Sequence, residues 1–211
     1  MEFDELRTHV GNELKRRFWE HKAMPALSRG RVRMDGWLKV ELTAILAEKG
    51  ETEPAFKLPK GRAAVRFEDW LVDVASLPTA YAFENTKACS SDLAEDVKDL
   101  RKLIKRLRKG RGRRQVAVFF AVYPFADLHE KDWAAHKLRI ERSLGGPLVE
   151  DRFSFQSGVS GRLYAGLVRE KATVEPASEP EPAAAQKRPM RRARHASAPG
   201  LKKERVALPS A

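Results

Sequence analysis

Residues 64–89 read AVRFEDWLVDVASLPTAYAFENTKAC, and the fold turns on how this stretch divides. Its first part is rich in apolar and β-branched residues and predicts a strand over 64–76. Ala80–Cys89 predicts a second strand, with Leu77-Pro78-Thr79 as the turn between them. Alternation places Asp73 on one face with Leu71 and Ala75, and Trp70, Val72 and Val74 on the other. Apolar side chains on both faces mark an interior strand, so Asp73 is expected to be partly buried, as a site acid or as a structural hydrogen-bonding group. In the second segment Glu84 shares a face with Ala82 and Thr86, whereas Lys87 lies with Phe83, Asn85 and Cys89. A flat strand therefore points Glu84 and Lys87 to opposite sides. A one-residue bulge at Asn85–Thr86 would bring them together; the alternative sets Asn85 in the acid's place, paired with Lys87.

Upstream, residues 35–49 predict a helix, with Asp35 as N-cap and Gly50 just past its end. On a helical wheel Glu41 falls inside the arc occupied by Trp37, Val40, Ala44, Ile45 and Leu38, away from Lys39 and Thr43. A carboxylate there needs a cation or donors. Either an arginine pairs with it or it is a metal-site acid.

Downstream, Ser90, Ser91 and Asp92 offer capping chemistry for a long helix to about Lys109. Leu93, Val97, Leu100, Ile104 and Leu107 form its apolar stripe. Over Lys98–Arg114 ten cations (Lys98, Arg101, Lys102, Lys105, Arg106, Arg108, Lys109, Arg111, Arg113 and Arg114) stand against Asp99 alone. Pairing within the helix cannot neutralise that excess, and phosphate contact explains it better than a merely solvated face. Gln115–Tyr123 is a continuous apolar run, as in a central strand, and Pro124 is expected to stop it.

The remaining segments are simpler. Residues 1–24 predict a helix from the spacing of Phe3, Leu6, Val10, Leu14 and Phe18, followed by a loop from Pro25 to Arg33. Gly50–Gly61, with Pro54 and Pro59, reads as another loop. Residues 130–144 predict a helix closed by Gly145-Gly146-Pro147, and Leu148–Phe155 and Arg162–Val168 two short strands. The chain is thus expected to be α/β, a central mixed sheet flanked by helices over residues 1–170. Residues 171–211 form an Ala/Pro/Lys/Arg-rich tail too poor in large apolar side chains to order itself.

The 211 residues carry a net charge of +12, of which the tail holds +5 from 9 Lys/Arg and 4 Asp/Glu. The remaining +7 belongs to residues 1–170, so the folded part is itself basic and suits an anionic partner. Cys89 is the only cysteine, which excludes intramolecular disulfides and Cys-cluster zinc sites. The five histidines show no paired ligand spacing. With no basic-then-apolar leader and no membrane-length apolar run, a soluble, cytoplasmic protein that avoids the membrane is expected.

A helix with Glu41, a strand with Asp73, a strand with Glu84 and Lys87, a basic helix and an apolar strand follow one another in an order that resembles the PD-(D/E)xK nuclease superfamily. The resemblance covers roughly residues 35–125 and implies a restriction-endonuclease-like fold. It departs in having Glu-Asn-Thr-Lys for Glu-x-Lys and no proline before Asp73. The resemblance implies Mg²⁺, or Mn²⁺, held by Asp73, Glu84 and the helical Glu41, with Lys87 beside the attacking water. It also implies a DNA endonuclease whose basic helix grips the backbone. The alternative is a degenerate member that binds nucleic acid or a protein partner without cleavage. Oligomeric state stays open, a homodimer included.

Overall fold

The structure, a computed structural model, describes residues 1–30, 32–57, 63–81 and 91–170. The chain divides into two units, Met1–Ala172 and Thr173–Ala211. The architecture below is that of the first; the tail expected to be disordered lies outside the described residues.

The N-terminal helix α1 (Phe3–Glu20) buries Leu6, Val10, Leu14 and Phe18, one residue per turn of its inner face. Asp4 and Glu5 in the first turn and Arg17 in the last complement the helix dipole. A short helix α2 (Met24–Arg29) occupies part of the expected loop, since proline is tolerated in a first helical turn. Helix α3 (Asp35–Ala47) buries Leu38, Leu42, Ile45 and Leu46.

Six strands form one mixed sheet in the order β1-β2-β3-β4-β6-β5: β1 (Thr52–Lys57), β2 (Ala63–Phe67), β3 (Trp70–Tyr81), β4 (Gln115–Phe125), β5 (Val149–Ser154) and β6 (Ser160–Leu167). The first three are an antiparallel meander. Helix α4 (Ser91–Gly110) then crosses to β4, which runs parallel to β3, and α5 (Glu130–Leu144) leads to the antiparallel pair β5–β6.

Three expectations about the meander are corrected. Residues 64–76 are not one strand: Glu68-Asp69 folds them into the β2–β3 hairpin, with Glu68 at φ 48°. The loop expected at Gly50–Gly61 contains β1, where Pro54 is tolerated because β1 is an edge strand whose register shifts between Glu53 and Phe56. Leu77-Pro78-Thr79 is no turn but the continuation of β3, paired to β4 as far as Tyr81. Likewise Pro124 lies within β4, which continues to Phe125. The strand expected at Ala80–Cys89 falls largely on residues 82–90, outside the described residues, as does Ser90; the capping expected of Ser91 and Asp92 rests on side chains that are also outside them.

The sheet separates two cores. Val72, Val74, Phe119, Tyr123 and Phe155 face α1 and α3; Leu71, Ala75, Leu77, Val118 and Phe120 face α4 and α5. Helix α4 commits Leu93, Val97, Leu100, Leu103, Ile104 and Leu107 to the second core. At about 2 kcal/mol per side chain that burial is worth on the order of 10 kcal/mol before entropy, so the orientation of α4 is not negotiable. Among the described residues no helix is long and apolar enough to cross a membrane.

Candidate nucleic-acid interface

The β2–β3 ladder runs only from Phe67–Trp70 to Val65–Val72, and Asp73 is the next residue along β3. Its side chain is wholly buried where the two strands part. Asp73 Oδ1 accepts a hydrogen bond from the Val74 amide at 2.8 Å, and Lys39 Nζ of α3 stands 3.3 Å away. Two residues on, the Ser76 amide and hydroxyl both donate to Asp35 Oδ1 at 2.6 Å, while the Met34 amide donates to Ser76 Oγ at 2.9 Å. The start of α3 thus meets the stretch of β3 that β2 has left. This also explains Pro78: it shares parity with Val74 and Ser76, whose amides turn to side chains, so its missing N–H falls where no β2 ladder needs it.

Asp35 is therefore not the N-cap. That position is Met34, with no side-chain capping bond, and Asp35 is the first helical residue. Arg33 joins the group to α4, donating to Asp35 Oδ2 at 2.8 Å and Asp96 Oδ1 at 2.7 Å. Tyr123 donates to the Val32 carbonyl at 2.8 Å, and burial raises its pKa well above the usual phenol value.

Glu41 does not join Asp73. It pairs with Arg17 of α1, which also reaches Glu48 at 3.1 Å. Lys39 and Glu41 are two residues apart on a helix, about 200° around it, so one turns to Asp73 and the other to α1. The buried arc of α3 is centred on Leu38, Leu42 and Ile45; Val40, expected within it, is 66 % exposed. Glu84 and Lys87, like Asn85, lie outside the described residues. Among the described residues no group of three or more His, Cys, Asp or Glu side chains could hold a metal ion. Of the expected ligand set the described residues place Asp73 beside Lys39 and Glu41 beside Arg17, and do not bring the two acids together.

The cations of α4 divide into two kinds. Arg101 Nε donates to Ser143 Oγ at 2.9 Å; Arg108 donates to the Ser143 carbonyl and, at 3.1 Å, to that of Arg169; Arg111 pairs with Glu170. Arg108 satisfies carbonyls in the last turn of α5, which have no helical partner, and Arg101 reaches the Ser143 side chain there, so the two fix α4 against α5, whereas Arg111, just past α4, holds Glu170. Lys98, Lys102, Lys105 and Lys109 are exposed. With Lys98 at zero and 100° per residue, they fall at about 0°, 40°, 340° and 20°. The buried stripe from Leu103 to Val97 spans about 140° to 260°, so the lysines form a straight ridge diametrically opposite it. Lys102 Nζ lies 2.8 Å from Asp99 Oδ1, an exposed pair worth little. Arg106 flanks the ridge, partly exposed. Beyond its end an open cleft of about 590 Å³ is lined by Arg111, Arg113, Arg114, Arg169 and Glu170.

No family model, curated protein or solved structure matches this chain. What the surface can do follows from its own residues. Sequence reasoning missed Lys39 as the partner of Asp73, although a signal exists: Lys39 is the one cation in α3, and a buried strand aspartate beside that helix needs one.

Proposed function

We propose that the protein binds nucleic-acid backbone, DNA in the first instance, through the α4 lysine ridge, on a scaffold of restriction-endonuclease-like type and without cleavage at Asp73. The observation that carries this is the ridge: four exposed lysines in line, with two acids, Glu95 and Asp99, beside them, on a helix whose opposite face is locked into the core. Exposed ammonium groups in a row are suited to phosphates and release counterions on contact. The scaffold assignment is supported by the order of elements, with α3, the Asp73 strand, the basic helix and the apolar strand following one another around a mixed sheet.

Geometry separates the ridge from Asp73. The ridge faces away from the sheet across a helix roughly 10–12 Å in diameter, and Asp73 is in the sheet with no exposed surface. A phosphate seated on the lysines is out of reach of that carboxylate. The second reading, metal-dependent phosphodiester hydrolysis, is favoured by one observation: a fully buried carboxylate beside a lysine where two strands part, a type of environment concentrated at functional sites.

Plasmid incubated with the full chain and Mg²⁺ or Mn²⁺ decides between them. The proposal expects a mobility shift and intact supercoiled DNA. Nicking that disappears in Asp73→Asn would replace it with the hydrolytic reading, and the absence of any shift at low salt would remove both.

A further inference from the structure

Resting on that reading, we infer that the partner of the α4 ridge is a duplex, held through its phosphates and without regard to base sequence. The ridge runs from Lys98 to Lys109, twelve residues, or about 16 Å of helix axis. A duplex presents one phosphate per roughly 1.7 Å of its axis, about ten over that length, whereas a single strand presents half as many. Proteins that hold single strands add aromatic platforms on which bases stack. Nothing of the kind flanks the ridge among the described residues. The large apolar side chains exposed there are Trp19, Val32, Val40, Leu128 and Leu138, and none is on α4. The single aromatic among them, Trp19, belongs to α1, which packs on the other face of the sheet.

For base reading α4 offers few groups. Specific contacts in a groove use bidentate arginine, asparagine or glutamine. Helix α4 contains no Asn or Gln, its Arg101 and Arg108 are occupied at the end of α5, and Arg106 is the one arginine of the helix that flanks the ridge. What the ridge presents is four point charges on flexible stems. Because Arg101 and Arg108 clamp α4 against α5, those charges keep one orientation, which suits a stiff polyanion better than a flexible one.

The test is fluorescence anisotropy of the full chain with a labelled duplex two helical turns long, with either of its strands alone, and with poly-glutamate, across a salt series. Four lysine–phosphate contacts contribute a slope of about −3.6 in log K against log salt on a duplex and about −2.8 on a single strand. Between about 50 and about 200 mM salt the ridge then accounts for a weakening of roughly 150-fold on duplex and roughly 50-fold on single strand. We expect duplex to bind more tightly than either strand, scrambled duplexes to bind alike, and the variant carrying Lys98→Gln, Lys102→Gln, Lys105→Gln and Lys109→Gln to lose the ridge's share of the slope. Equal or tighter binding of a single strand overturns the duplex inference and leaves backbone binding standing. Failure to bind either nucleic acid, or tighter binding of poly-glutamate, overturns the underlying reading as well.

Discussion

Removing the Asp35 carboxylate tests the join between α3 and β3 that shapes the region around Asp73. Asp35 Oδ1 accepts two hydrogen bonds from Ser76, and Ser76 is wholly buried. In Asp35→Ala the Ser76 amide is left buried without its acceptor, at about 1–3 kcal/mol, and a charge-assisted bond from the hydroxyl is lost besides. The Arg33 contact adds little because Arg33 is 43 % exposed. The sum is about 3 kcal/mol, or a fall in Tm of about 6–12 °C for a domain of this size. A helix N-cap alone is worth about 1 kcal/mol. Equilibrium urea unfolding of Asp35→Ala, Ser76→Ala and the double variant separates the two roles. The bridge predicts a coupling of about 1–2 kcal/mol between the two positions. A cost near 1 kcal/mol for Asp35→Ala with no coupling to Ser76 would return Asp35 to simple capping and refute the join.

Other consequences follow from packing and burial. A methyl group on Gly161 would overlap the Phe153 ring, which is stacked on Phe18 at 4.5 Å and edge-on to Phe155 at 5.2 Å and so has nowhere to go. Gly161→Ala should lower stability by about 1–3 kcal/mol by urea midpoint, and Phe153→Leu in the same chain should recover part of the loss. His136 is buried against Trp133, and desolvation, with Arg139 nearby, lowers its pKa below the ordinary 6.5. Below pH 6.5 the unfolded chain takes up a proton that the folded chain refuses, so stability falls as pH drops from 6.5 toward the lowered value. His136→Gln should flatten that part of the stability–pH curve measured by thermal melts.

The parts of the fold that were legible are those whose own periodicity decides them. The apolar run Gln115–Tyr123 sits in the centre of the sheet, and the stripe from Leu93 to Leu107 docks α4 as its spacing demands. The β2–β3 turn was hidden because Glu68-Asp69 contains neither glycine nor asparagine, the residues that announce a tight hairpin. Pro54 and Pro78 were misleading for one reason: each lies where no partner strand needs its missing N–H, at a sheet edge or past the end of the β2–β3 ladder. The burial of Asp73 could be read from its neighbours, but its pairing with Lys39 could not, since that depends on where α3 crosses β3. Ten cations near α4 looked equivalent in sequence. The end of α5, more than thirty residues away, claims Arg101 and Arg108 and leaves the lysines for solvent.

In the proposed function the ridge, and not the basic tail, holds nucleic acid. The direct measurement is the salt dependence of duplex binding for three full chains: wild type, the four-lysine Gln variant, and a variant with Gln at every Lys and Arg of Lys187–Arg194 and Lys202–Arg205. The four lysines are exposed, so their replacement should leave the thermal melt unchanged. The ridge variant should flatten the slope by about 3.6 while the tail variant keeps that share. A ridge variant with wild-type affinity and slope, beside a tail variant that no longer binds, would contradict it.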